Sequence, residues 1–127
     1  DKKPYLAIGS AGGPIIITGT LQGIINAIDF DMNPEQLVNA PYVNCLTREQ
    51  GLEAEFGISQ DTLRLLEERG HKPVCIEADQ AMSTMVNSVM VKDGGDYAAG
   101  TKRVDGCGGV LLSNGNIILE GISQEIS

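Results

Sequence analysis

Tryptophan is missing, the only aromatics are three Tyr and two Phe, and there is a single histidine, His71. Positive charge is also scarce. Nine Lys and Arg stand against 17 Asp and Glu, giving a formal net charge of −8. An acidic surface repels phosphate backbones and anionic lipid, so nucleic acid and charged membranes are not expected partners; the same acidity also serves plain solubility. No apolar run reaches the roughly 20 residues needed to span a bilayer. No signal peptide is visible, and because the chain starts with Asp1 rather than Met this carries no information on compartment. The three cysteines, Cys45, Cys75 and Cys107, are odd in number and show no C-x-x-C spacing. That argues against a disulfide framework, and with one histidine it also argues against a metal site. Cys45 and Cys75 are expected to be buried thiols, while Cys107, in a glycine loop, is expected to be exposed.

What is present is a folded, periodic pattern in 127 residues, one domain's length over 1–127, with 16 glycines gathered at 9–13, 94–95 and 106–109. Clustering of this kind marks tight loops rather than linkers. Tyr5–Ile8 reads as a strand running into Gly9-Ser10-Ala11-Gly12-Gly13. A helix follows, in which Ile17, Leu21, Ile24, Ile25 and Ile28 share one face, expected to be the buried one. Gly19 and Gly23 lie on another face and would let a neighbouring element come close. Asn33-Pro34-Glu35-Gln36 begins a second helix with a capping box, ended at Pro41. Ser59 caps a third over Gln60–Arg69, stopped by Gly70.

The second half reads as strands at Pro73–Ala78, Thr84–Lys92, Tyr97–Thr101, Gly109–Leu112 and Ile117–Glu120. Turns fall at Asp93-Gly94-Gly95 and at Asn114-Gly115. Strand, helices, then several antiparallel strands define an α+β layered domain, without the regular βαβ alternation of a dinucleotide-binding fold.

Chemistry concentrates between Leu6 and Thr20. A glycine-rich strand-to-helix turn lets backbone N–H groups converge beside the partly positive helix N-terminus. Such a nest stabilises a carboxylate, a phosphate or the oxyanion of an acyl-transfer intermediate. Pro14 has no N–H, which leaves Gly12 and Gly13 as the donors. Without further context the same turn also serves as a structural corner. It is not a Walker loop, because the Lys-Ser/Thr ending is missing. Ser10 lacks a nucleophile elbow. His71 follows a helix stop and reads as a surface residue. The acidic pairs Glu53, Glu55 and Glu77, Asp79 read as solvated faces. Arg103 reads as a turn salt bridge, or else as a contact to a substrate carboxylate. Gly106–Gly109 reads as a close-packed loop, with a second anion nest as the alternative.

The run Pro4 to Gly13, continuing into Ile16-Ile17-Thr18, resembles the gamma-glutamyltranspeptidase signature, G-S-P-G-G-S-R-I in that family. Asn39-Ala40-Pro41 resembles its N-A-P-R segment. Gly57 to Leu63 and Leu66 to His71 match its capped helix, and Gly100–Arg103 stands at its D-P-R turn. The likeness covers most of the chain, with several motifs in the right order. It implies an N-terminal-nucleophile hydrolase, an αββα sandwich made as a precursor that cleaves itself. A new N-terminal Thr then attacks a gamma-glutamyl amide, such as that of glutathione, forming an acyl-enzyme. By position, Gly12 and Gly13 match the two glycines at the oxyanion site. Ala11, Pro14, Ile15, Tyr42, Thr101 and Lys102 depart from the family pattern, which leaves substrate specificity open.

The resemblance implies no cofactor. It also implies that the nucleophilic Thr, the substrate-holding Ser pair and the large subunit with its carboxylate-binding Arg lie upstream. The 127 residues are therefore expected to be a C-terminal portion that is inactive alone. Its expected partners are the remainder of the precursor and a gamma-glutamyl substrate, with self-association through exposed sheet edges and apolar faces. The alternative is a non-enzymatic module that binds a small anion or a partner chain. Family members are usually exported, implying an extracellular or periplasmic site; thiols without a disulfide pattern fit the cytoplasm.

Overall fold

The computed structural model describes residues 3–47, 49, 51–76, 85–104 and 106–119. The predicted strand residues Glu77, Ala78, Thr84 and Glu120, together with Asp79, lie outside these. Among the described residues, eight strands and three helices follow in the order β1 Leu6–Ala11, α1 Ile16–Ile28, α2 Pro34–Asn39, β2 Val43–Asn44, β3 Leu52–Glu55, α3 Gln60–Glu68, β4 Pro73–Ile76, β5 Met85–Lys92, β6 Gly95–Gly100, β7 Gly108–Leu112 and β8 Ile117–Leu119.

Five strands form one antiparallel sheet in the order β1-β5-β6-β7-β8. Side chains alternate between its two faces. Leu6 and Ile8 of β1 and Val86, Ser88 and Met90 of β5 point to one side. There they meet Ala27 of α1, Leu37 and Val38 of α2, Tyr42 and Ala99 to make the core. Each large side chain buried there stabilises the fold by about 1.5–3 kcal/mol. Ala7, Gly9, Asn87, Val89 and Ala98 point the other way and are exposed. This second face is small-residued and uncovered among the described residues.

A smaller sheet, β2-β3-β4, was only partly anticipated. Strands β3 and β4 pair in parallel, with α3 as the crossover, where antiparallel strands were expected. Strands β2 and β3 are two and four residues long, too short to register as a periodic run.

The helix ends follow local chemistry. Asn33 and Gln36 form the reciprocal capping box of α2, with Pro34 in its first turn. Ser59 Oγ accepts the Thr62 N–H at the start of α3. Gly70, at φ 88°, turns the chain out of that helix while His71 N–H donates to the Leu66 carbonyl at 3.0 Å.

Helix α1 overturns one expectation. Its buried face consists of Gly19, Gly23 and Ala27, whereas Ile17, Leu21 and Ile28 are exposed. The isoleucine periodicity is helical as predicted, but the small residues lie against the sheet. A Cβ at Gly23 would stand 2.5 Å from Ile8 Cδ1 and 3.7 Å from both the Tyr42 hydroxyl and Val86 Cγ1. Glycine at a helix interior costs roughly 1 kcal/mol relative to Ala. The close helix–sheet approach it permits offsets this through many dispersion contacts.

Candidate active site

Strand β1 extends through Gly9 and Ser10 to Ala11, so the loop is narrower than the glycine run implied. Its pairing with β5 holds as far as Ala11 opposite Met85. The chain then turns at Gly12 (φ 134°, ψ 24°) and Gly13 (φ 63°), a pair of angles that L side chains rarely adopt. A single 3-10 turn, Gly13–Ile15, leads into α1, with Pro14 in its first turn. Ile15 is fully buried and anchors the far end of the loop.

Gly13 is exposed and Gly12 half-buried. Among the described residues, neither amide donates to a backbone or side-chain acceptor. The first N–H groups of a helical segment have no intrahelical partner, which accounts for both being unpaired within the described residues. No acidic residue stands in the first turn of either the 3-10 turn or α1 to oppose an anion.

A polar cluster ties this corner down. The Ser10 hydroxyl donates across the loop to the Ile16 carbonyl at 3.3 Å. The Thr18 hydroxyl bonds to the Ile15 carbonyl at 3.1 Å and to the buried Asn44 side-chain amide. One turn later, Gln22 Nε2 donates to the Thr18 carbonyl at 3.1 Å and to the Val43 carbonyl at 2.8 Å. Gln22 Oε1 accepts the Val43 N–H at 3.0 Å. No local spacing signalled this cluster, since its partners lie 21 and 26 residues apart in sequence.

Arg103 is the second built feature. Its Nε donates to Glu55 Oε1 at 2.9 Å, and its Nη2 bonds to Glu55 Oε2. Nη1 and Nη2 donate at 2.7 Å to the carbonyls of Val38 and Ala40. Nη1 also reaches Thr101 Oγ1 at 3.0 Å, and the guanidinium lies 5.0 Å from the Tyr42 ring centroid. The Arg103 and Glu55 side chains are 6% and 4% exposed, so the group is fully committed inside the fold and unavailable to a substrate carboxylate. Glu55, expected on a solvated face, is instead the buried partner of this cation. Burial pushes the Tyr42 hydroxyl up to about 12, an effect the Arg103 charge opposes and the Glu55 charge adds to.

Other sequence readings resolve plainly. Cys45 and Cys75 are exposed, contrary to expectation, because each lies in or beside the small sheet, which is only partly covered. Cys107 is exposed as expected. His71 is exposed. The Gly106 N–H donates to the Thr101 carbonyl at 2.9 Å, and a Cβ there would come within 2.3 Å of that same oxygen. That segment is a close-packed crossing. Among the described residues no group of three His, Cys, Asp or Glu could hold a metal. No helix among them is long and apolar enough to cross a membrane. A cleft of about 470 Å³ is lined by Asn33, Pro34, Tyr97, Val110 and Leu119 among others, and neither Gly12 nor Gly13 borders it.

Mixed helices and antiparallel strands around a glycine-cornered strand place the chain in a known class of α+β architecture. Solved structures make that class specific. The fold matches a Helicobacter pylori gamma-glutamyltranspeptidase carrying a single substitution, with a TM-score of 0.67 and 32% identity over 78% of this chain and 54% of that one. It matches an acivicin-inhibited gamma-glutamyltranspeptidase with a TM-score of 0.68 and 31% identity over 80% of this chain and 54% of that one. The architecture is therefore a portion of the N-terminal-nucleophile hydrolase fold. The profile of the family "Gamma-glutamyltranspeptidase" matches residues 1–110, and the chain belongs to that family. The glutathione hydrolase proenzyme of Escherichia coli K12 is 37% identical over 103 residues, 81% of this chain. The match spans only 17% of that relative's own length.

Proposed function

We propose that these residues are the C-terminal portion of a self-processed gamma-glutamyl amide hydrolase or transferase and supply its oxyanion loop. The observation that carries this reading is the pair of amides at Gly12 and Gly13. They are adjacent, on one half-buried and one exposed residue, lie at a helix entrance, and lack an acceptor among the described residues. In an acyl transfer, the carbonyl oxygen of the gamma-glutamyl amide becomes an oxyanion when the nucleophile adds, and two N–H donors aimed at it lower that barrier.

In this reading the nucleophile is an N-terminal Thr on a segment outside these 127 residues, acting with its own α-amine as base. Thr18 and Thr20 cannot take that role, because their α-amines are in peptide bonds. The acyl-enzyme then passes the glutamyl group to water or to an acceptor amine, and glutathione is the expected donor class. The residues in hand are inactive alone. Their exposed sheet face of Ala7, Gly9, Val89 and Ala98 would accept the second sheet of the sandwich, contributed by the remainder of the precursor. Separated from it, they are expected to self-associate.

A non-enzymatic module that binds a small anion would use the same open amides, so activity of the complete precursor, not the loop alone, separates the two readings. The test is Gly12→Ala in the complete precursor. A Cβ at φ 134° forces the turn to rearrange, so kcat for a gamma-glutamyl anilide should fall by about 10²-fold or more. Unchanged kcat would remove the oxyanion assignment.

A further inference from the structure

Resting on the oxyanion reading above, we infer that Thr18, held by Asn44 and Gln22, is the positioning residue that fixes the Gly12 and Gly13 amides for the reaction. The loop has little of its own to hold it. Gly12 and Gly13 contribute no side chain, and a Cβ at Gly13 would meet nothing within 4 Å. Apart from the Ser10 hydroxyl bond across it to the Ile16 carbonyl, its geometry is set at its two ends. The upstream end is secured by the β1–β5 ladder as far as Ala11. The downstream end is Ile15, where the 3-10 turn becomes α-helix, and there the Thr18 hydroxyl bonds to the Ile15 carbonyl at 3.1 Å.

Thr18 is itself fixed from outside the helix. Its hydroxyl also bonds to Asn44, which is only 5% exposed, and its carbonyl accepts a Gln22 N–H at 3.1 Å. Gln22 clasps both backbone groups of Val43, much as a neighbouring strand would. The first two turns of α1 are thus bolted to β2, a strand of two residues whose ladder partner among the described residues is β3. A hydroxyl has one proton to give. Thr18 Oγ1 faces Asn44 Oδ1 and the Ile15 carbonyl; with the Asn44 amide turned so that its NH2 faces Thr18, Asn44 donates to Thr18 and Thr18 donates to Ile15.

The arrangement has a kinetic signature. Oxyanion donors act on charge that develops only in the transition state, so loosening them lowers kcat while ground-state binding stays nearly the same. Thr18→Val keeps the side-chain shape without the hydroxyl and Thr18→Ser keeps the hydroxyl without the methyl, so together they separate the two. Both would be made in the complete precursor and assayed on a gamma-glutamyl anilide, with kcat expressed per processed subunit. Thr18→Val should lose about 10-fold or more in kcat with KM within about 2-fold, because displacements well under 1 Å already matter at a reacting centre. Thr18→Ser should restore most of the loss. Gln22→Met, on a half-buried side chain, should reproduce the kcat loss and carries the test if Thr18→Val does not mature.

Normal kcat in Thr18→Val or in Gln22→Met, alongside a Gly12→Ala variant that has lost activity, would overturn the positioning role and leave the oxyanion reading standing. Equal losses in Thr18→Val and Thr18→Ser would also overturn it, since the hydroxyl would then be irrelevant. Normal kcat in Gly12→Ala would remove the oxyanion reading and this inference together.

Discussion

Arg103 and Glu55, 48 residues apart in sequence, form a buried two-pronged ion pair that joins the small sheet to the segment after β6. The same guanidinium takes the carbonyls of Val38 and Ala40, which the end of α2 leaves without helical partners. Glu55 in turn accepts the Tyr42 N–H at 3.0 Å. One planar cation thereby holds α2, β3 and the chain beyond β6 in a fixed relation, a task its fork geometry suits and a lysine's point charge does not.

Removing one partner should be costly. Arg103→Met leaves the Glu55 carboxylate buried and uncompensated, with an expected loss of about 3–5 kcal/mol in urea unfolding. The double variant Arg103→Met with Glu55→Leu should recover part of that loss, since neither charge is then stranded. Strictly additive losses would show that the two residues do not act as a pair.

The Tyr42 hydroxyl, 2.8 Å from the Leu37 carbonyl to which it donates, gives an alkaline prediction. Its folded value of about 12 lies above the ordinary 10, with burial as the leading cause. Between pH 10 and 12 the unfolded chain has lost this proton while the folded chain retains it. Folding stability from this group is therefore complete below pH 10 and falls as pH rises through 12, by on the order of 3 kcal/mol in all. Tyr42→Phe should be less stable at neutral pH but lose less stability over that window. Parallel pH curves for the two proteins would contradict the prediction.

The two loop glycines should not respond alike. Gly13, at φ 63°, occupies the left-handed well that other residues reach for roughly 1–2 kcal/mol, and nothing lies where its Cβ would go. Gly12, at φ 134°, has no such option. Gly13→Ala in the complete precursor should keep kcat for a gamma-glutamyl anilide within about 10-fold of normal, against the about 10²-fold loss at Gly12→Ala. The same ranking is expected for affinity toward a tetrahedral transition-state analogue.

On α1 the small face, not the isoleucine face, should be the sensitive one. Gly23→Leu would drive a side chain into Ile8, Tyr42 and Val86 and should cost about 1–3 kcal/mol or more by thermal unfolding. Ile28→Ser, at a site 63% exposed, should change stability by no more than about 0.5 kcal/mol. The reverse order would mean that the helix is rotated from its described orientation.

Much of this was readable from the amino acids, and what was not has a common cause. The caps at Asn33 and Ser59, the stop at Gly70 and the hairpin at Asn114-Gly115 are local chemistry, complete within a few residues. They appear where expected. Helix α1 was recognised but its buried face was not, because periodicity reports that a face exists without saying what it meets. Only Gly19 and Gly23, seen as permitting close approach, pointed the right way. The Glu55–Arg103 pair and the Thr18–Asn44–Gln22 cluster depend on contacts between distant segments that carry no spacing signal. A charged residue in a four-residue strand reads as solvated until its partner is placed beside it. The glycine loop was legible as a sharp strand-to-helix turn, found at Gly12 and Gly13, whereas its use by an anion remains the proposal made above.

The most direct measurement is the intact mass and N-terminal sequence of the complete gene product, taken together with its release of aniline from a gamma-glutamyl anilide. Two subunits, a new N-terminal Thr on the subunit that contains these residues, and steady aniline release are the predicted result. A single uncleaved chain that releases none would contradict the enzymatic reading and reduce the Gly12–Gly13 turn to a structural corner.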